Sequence, residues 1–217
     1  LIDENQNIKD NLDNENLQQE KMILEIRKDE KRYANQIKTK QKQSLEIDKQ
    51  IQKIIAEAIA RTKNNNQPQF KLTAEAKLIS KKFVENKGKL PWPVEKGMII
   101  LRYGRQPHPI VKTTTIQSNG VRILTSKNQE VRSIFDGKVH SIIVSKNGSH
   151  AILIQHGIFF SVYKNLTEIY VKKGEIIETK QAIGKLNTNK STGQTILNFS
   201  IFKDGLTQNP SAWIYKM

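Results

Sequence analysis

Residues 115–125 read TIQSNGVRILT, and beyond Gly120 the run places Val121 and Ile123 on one side of the chain and Arg122 and Leu124 on the other. That alternation is the period-two pattern of a half-buried strand. Strands that hold zinc in this frame carry a His two residues before the glycine and an Asp two residues after it. The ion needs an imidazole nitrogen and a carboxylate oxygen converging from one short segment. Here the two places hold Ser118 and Arg122. Arginine stays protonated in proteins and offers only donors, so it repels a cation. The frame is present without its chemistry, and the remaining sequence decides whether that is chance.

Composition sets the bounds. A chain of 217 residues with 36% hydrophobic residues holds one real core alongside an elongated part. The absence of cysteine removes disulfides, thiol catalysis and Cys-based zinc sites, and suits an oxidising compartment. No apolar run approaches the ~20 residues needed to cross a bilayer. The first residue is Leu1, so the sequence reads as a fragment whose natural start and leader lie elsewhere. Charge is uneven: 13 Lys/Arg stand against 12 Asp/Glu in residues 1–63, and 23 against 9 in residues 64–217. A basic second part favours acidic partners such as anionic lipid or cell-wall polymer. Nucleic acid is disfavoured, because no binding motif or basic-aromatic alternation accompanies the charge.

Residues 1–63 lack Gly and Pro and are rich in Lys, Glu, Gln, Ile and Leu, which predicts a long helix or helical pair. From Ile23 a heptad places Ile23, Ile37, Ile51 and Ala58 at one seam position and Ile26, Tyr33, Ile47 and Ile54 at the other. Residues 1–30 carry 4 basic and 9 acidic side chains and residues 31–63 carry 9 and 3, a segregation that favours an antiparallel mate. Residues 64–89 form a linker, broken by the Asn run and Pro68, and then a short helix around 72–87. Its apolar stripe is Leu72, Ala76, Ile79 and Phe83, and Gly88 ends it. From residue 90 to 217 short β-rich runs alternate with turns, predicting an all-β domain. The fold class is therefore α+β: an N-terminal coiled-coil helix, a connecting helix and a C-terminal β domain.

The segments LPWPVEKGMIILRYGRQPHP, SNGVRI, VRSIFDGKVHSI, ILIQHGIFFSVYKNL, VKKGEIIETKQAIGKL, TILNFSIF and NPSAWI follow in an order that resembles the LytM or lysostaphin-type zinc metallopeptidases. That resemblance implies a His-x-x-x-Asp pair, a Tyr-x-His-Leu histidine and a His-x-His strand. The chain departs at each: Ser118 and Arg122 stand for the first pair, Asn165 for the catalytic His, and Ile196 and Asn198 for the last pair. The four histidines, His108, His140, His150 and His156, form no His-x-His or His-x-x-x-Asp pair, and Asp136 reads as a turn residue. The segment VKKGEIIETKQAIGKL is also similar to half of a biotinyl or lipoyl carrier, but the Lys at a hairpin tip between methionines is missing. No cofactor is expected.

A coiled coil followed by such a stripped domain resembles the EnvC-type murein hydrolase activators of bacterial cell division. The resemblance implies a non-enzymatic protein in the periplasm or cell envelope. Its partners would be an N-acetylmuramoyl-L-alanine amidase, docked in the degenerate groove, and an FtsEX-like membrane complex, held by the coiled coil. Ser118, Arg122, Asn165, Ile196, Asn198 and Ser200 would line that groove, and the helix at 72–87 would gate it. Two other classes stay open, a binding module for peptidoglycan or another wall polymer and a cryptic hydrolase.

Overall fold

The computed structural model describes residues 32, 35, 39, 42, 45–60, 74–107, 115–145, 148–190 and 192–217. The chain divides into two compact units, Leu1–Gln50 and Ile51–Met217. In the first, every described position, 32, 35, 39, 42 and 45–50, is helical. Most of the expected coiled-coil seam, Ile23, Ile26, Tyr33 and Ile37 included, lies outside the described residues.

The second unit opens with helix α1, residues 51–60, followed by α2, Ala74–Glu85. Twelve strands come next: β1 Met98–Leu101, β2 Gly104–Pro107, β3 Thr115–Ser118, β4 Val121–Thr125, β5 Glu130–Arg132, β6 Gly137–Val144, β7 His150–His156, β8 Phe159–Ile169, β9 Ile176–Ile177, β10 Ala182–Leu186, β11 Thr195–Lys203 and β12 Leu206–Gln208. The main antiparallel sheet runs β1-β4-β11-β8-β7-β6-β9. β10 bridges β5 and β8, β12 extends β11, and β2 and β3 form a separate hairpin.

Strand alternation gives this sheet two faces. Val121, Ile123, Ile152, Ile154, Phe159, Tyr163, Leu197, Phe199 and Ile201 point into one core with Phe83, Leu90 and Trp213. Phe83 sits at its centre, with ring centroids 4.6 Å from Phe159, 5.4 Å from Phe135 and 5.2 Å from Trp213. Next to it, Ser80 Oγ donates to the Ala76 carbonyl at 2.8 Å and accepts from the Ile158 N–H at 3.0 Å. Gly157, at φ +70, makes that approach possible, since a Cβ there would strike Ser80 Oγ.

This placement shows how the described part of the expected helix at 72–87 packs. Leu72 lies outside the described residues, Ala76 and Ile79 are half-buried, and Phe83 is fully buried in the domain's own core. Phe83 thereby packs α2 against the β-domain.

The other face of the sheet is also apolar and also covered. Ala151, Leu153, Phe160, Val162 and Phe202 alternate out of phase with the core set, yet all are buried, the most exposed at 4%. His140 closes edge-on over Phe160 at 5.5 Å. In α1, Ile51 and Ile55 are buried to 1% and 0%, and Ile59 reaches the β11–β12 turn, 3.6 Å from where a Cβ on Gly205 would lie. Phe202 is three residues from that glycine, so Ile59 lies beside the turn that follows this strand of the outer face.

Candidate docking groove

Four of the sequence-predicted positions, Arg122, Ile196, Asn198 and Ser200, fall on the outer face, and the strand register fixes how. β4 and β11 pair Arg122 with Asn198 and Leu124 with Ile196. β11 and β8 pair Asn198 with Lys164 and Ser200 with Val162. On the far side of β8, Lys164 meets Ala151 and Val162 meets Leu153. One row across the sheet therefore reads Arg122, Asn198, Lys164, Ala151, and the next reads Ser200, Val162, Leu153. Arg122, Lys164, Ile196 and Asn198 are half-buried, and Ser200 is 5% exposed.

Ser118 ends β3 opposite Gly104 and turns its hydroxyl back to the Gly120 carbonyl at 2.8 Å. Gly120 leaves no room for a side chain. A Cβ there would run into the Phe199 carbonyl oxygen and Ser200 Oγ, and the former is backbone that cannot step aside. Gly120→Ala should therefore cost about 1–3 kcal/mol through overpacking, read as a lower urea midpoint at an unchanged m-value.

Asn165 takes φ +77, a left-handed conformation that Asn tolerates. Its Nδ2 donates to the Ile196 carbonyl at 2.7 Å and the Asn187 carbonyl at 3.3 Å, and its own carbonyl accepts from Asn187 N–H at 2.9 Å. The side chain works as a brace between strands, with its donors already directed at backbone.

Of the four histidines, His108 lies outside the described residues and His140 and His150 are half-buried. His156 is fully buried in the core, Nδ1 2.7 Å from the Asp136 carbonyl and Nε2 2.7 Å from Ser161 Oγ. Its pKa is pushed down to about 4 by burial, against the smaller opposing influence of Asp136. Asp136 is indeed a turn residue, its Oδ1 accepting from Thr179 N–H at 2.7 Å and Thr179 Oγ at 2.6 Å.

Residues 117–210 match the family model for peptidase family M23. These residues are thus similar to an M23 domain. Murein hydrolase activator EnvC of Escherichia coli (strain K12) is 26% identical over 129 residues, 59% of this chain and 29% of the relative. The chain thus spans under a third of the length of that curated relative. Among solved structures, Csd3 of Helicobacter pylori is 25% identical with a TM-score of 0.49, covering 59% of this chain and 35% of that one. A zinc-containing peptidase from Vibrio cholerae is 25% identical with a TM-score of 0.47, covering 58% and 40%.

The M23-like segment of this chain does not fit zinc. At the positions where the resemblance expects ligands and catalytic groups it offers a hydroxyl bonded to Gly120, a guanidinium, a carboxamide opposite that guanidinium, an amide braced on backbone, and an isoleucine. Zinc takes thiolate, imidazole or carboxylate donors. Among the described residues no group of three or more His, Cys, Asp or Glu stands where it could hold an ion.

Sequence reading missed six side chains of this face, Ala151, Leu153, Phe160, Val162, Lys164 and Phe202, and the burial of Ile55 in α1. The six follow from the alternation in β7, β8 and β11 once the register is known. Ile55 falls beside the heptad seam and not on it, which hid its burial.

Proposed function

We propose that this chain is a non-enzymatic activator of cell-wall amidases, and that the outer face of its M23-like domain is the docking groove, closed by α1. The observation that carries the reading is the double burial of Ile51 and Ile55 in α1 and of Leu153, Phe160, Val162 and Phe202 on the sheet. A domain that has given up zinc chemistry keeps an apolar face suited to an amphipathic helix and covers it with a helix of its own. The amidase would compete for this face, and activation would be a population shift between closed and open forms. The first helical unit would transmit the opening signal from an FtsEX-like membrane complex in the periplasm. No described helix is long and apolar enough to cross a membrane.

Dye release from labelled sacculi tests this, with the chain alone, an N-acetylmuramoyl-L-alanine amidase alone, and both together. The expected result is release only from the mixture, together with no zinc-dependent cleavage of a cross-linked muropeptide by the chain. Release by the chain alone that tracks a one-to-one zinc content would overturn the reading.

The formal net charge of +15 favours a second reading, a module that holds peptidoglycan or an acidic wall polymer. Sacculus co-sedimentation that is lost at high salt, without any effect on an amidase, would select it.

A further inference from the structure

α2 has a second face. Ser80 and Phe83 fix its inner side in the domain. On the outer side Leu78, Lys81 and Val84 stand three residues apart, the spacing of neighbours on a helix surface, with Lys87 in the turn that follows. Leu78 is 52% exposed and Val84 48%. Residues 74–89 carry five Lys, at 77, 81, 82, 87 and 89, against two Glu, and all five are exposed. Lys81 meets Glu85 at 3.9 Å with both side chains largely in water, a pair that holds little charge back from a partner. The C-terminal segment continues the same chemistry. Gly88 N–H donates to the Trp213 carbonyl at 2.8 Å and Tyr215 N–H to the Leu90 carbonyl at 2.9 Å, which ties the exposed Tyr215 and Lys216 to residues 88–90.

We propose that this face docks on an anionic bilayer surface, with Leu78 and Val84 entering the boundary between headgroups and acyl chains and the lysines reaching the phosphates around them. Lysine stems cover apolar surface while their ammonium groups stay at the polar level, so a ridge that alternates Lys with Leu and Val suits both layers of a membrane interface. Tyrosine favours the same level. An acidic wall polymer would satisfy the lysines and leave Leu78 and Val84 in water, so the mixed ridge selects lipid. At 12 residues α2 would be marginal as a free helix in water. Anchored through Phe83 it meets the bilayer already folded. The face also lies on the core side of the main sheet, because α2 packs on the set that contains Val121 and Ile123, whereas Arg122 and Asn198 belong to the other alternation. A domain bound through α2 therefore turns its outer face away from the lipid.

Co-sedimentation of the full chain with vesicles tests this. Vesicles of phosphatidylglycerol mixed with phosphatidylcholine should bind it, vesicles of phosphatidylcholine alone should not, and rising salt should weaken the binding. Each lysine at an anionic surface is worth about fivefold in affinity, so Lys77→Gln/Lys81→Gln should weaken binding about thirtyfold. Leu78→Gln/Val84→Gln should weaken it about tenfold through lost apolar burial, while the same variant binds soluble polyphosphate as the parent does. All four positions are exposed, so near-ultraviolet circular dichroism should not change.

Absence of binding to the phosphatidylglycerol vesicles would overturn the proposal. So would a Leu78→Gln/Val84→Gln protein that binds them as tightly as the parent, since charge alone would then account for the surface. Binding to purified sacculi with none to vesicles would assign the lysines to wall polymer, and the lipid would fall. Dye release from purified sacculi involves no bilayer, so each of these failures leaves the activator reading standing.

Discussion

Phe83→Asp should unfold the β-domain, whereas Ile55→Asp should leave it folded and raise amidase activation severalfold. Both residues are completely buried in helices, so burial alone does not distinguish them. Their surroundings do. Phe83 stacks on Phe159 and His156 and meets Phe135 and Trp213 inside the single core that joins both ends of the domain. Even Phe83→Ala should cost about 3–5 kcal/mol, a large share of a small domain's stability. Ile55 stands outside that core. A charge there costs several kcal/mol while α1 is docked, and undocking relieves the cost without disturbing Phe83 or its neighbours. Near-ultraviolet circular dichroism and dye release on the same two proteins decide between gate and brace. An Ile55→Asp protein that is folded and activates less well than the parent would sink the proposal that α1 closes the groove.

The β-domain was legible because alternation and turn chemistry are local signals. The run Val121 to Thr125 and the segment TILNFSIF gave strands whose register then placed Arg122 against Asn198 as the frame requires. Arg122, Ile196, Asn198 and Ser200 share one face for the same reason, since each is fixed by its position on one strand. What each helix packs against was not legible. The stripe Leu72, Ala76, Ile79, Phe83 and the stripe through Ile51 and Ile55 are both apolar faces of amphipathic helices, and periodicity says that a face is buried without saying against what. The deciding contact is Ser80 with Ile158, across 78 positions of sequence. Long-range contacts of this kind leave little trace in a local pattern. Ile55 was obscured by a different cause: a 3.5-residue seam selects Ile51, Ile54 and Ala58, whereas the fully buried pair in α1 is Ile51 and Ile55, a pair on the 3.6-residue period.

Acidification from pH 6.5 to 4 should remove about 3 kcal/mol of stability through His156 alone. The ring is enclosed by Phe83 on one side and Phe135 on another, with its two nitrogens committed to the Asp136 carbonyl and Ser161. Since a carbonyl only accepts, Nδ1 carries the proton and Nε2 accepts from the serine hydroxyl, which is the neutral tautomer. Burial opposes a second proton and lowers the pKa to about 4, while an unfolded chain titrates near 6.5. Above pH 6.5 the ring is neutral in both states and contributes no pH dependence. Between 6.5 and 4 the unfolded state binds a proton that the native state refuses, so stability falls as pH falls. The gap of roughly 2.5 units corresponds to about 3 kcal/mol. Carboxylates titrate in part of the same range, so the His156 share is read as a difference: urea unfolding at several pH values for the parent and for His156→Gln, whose acid-side slope should be shallower by one proton. Should the Gln variant fold poorly, NMR titration of the native ring decides alone. A ring that titrates near 6.5 in the folded parent would show that the core does not hold His156 neutral, and the predicted acid lability would fall with it.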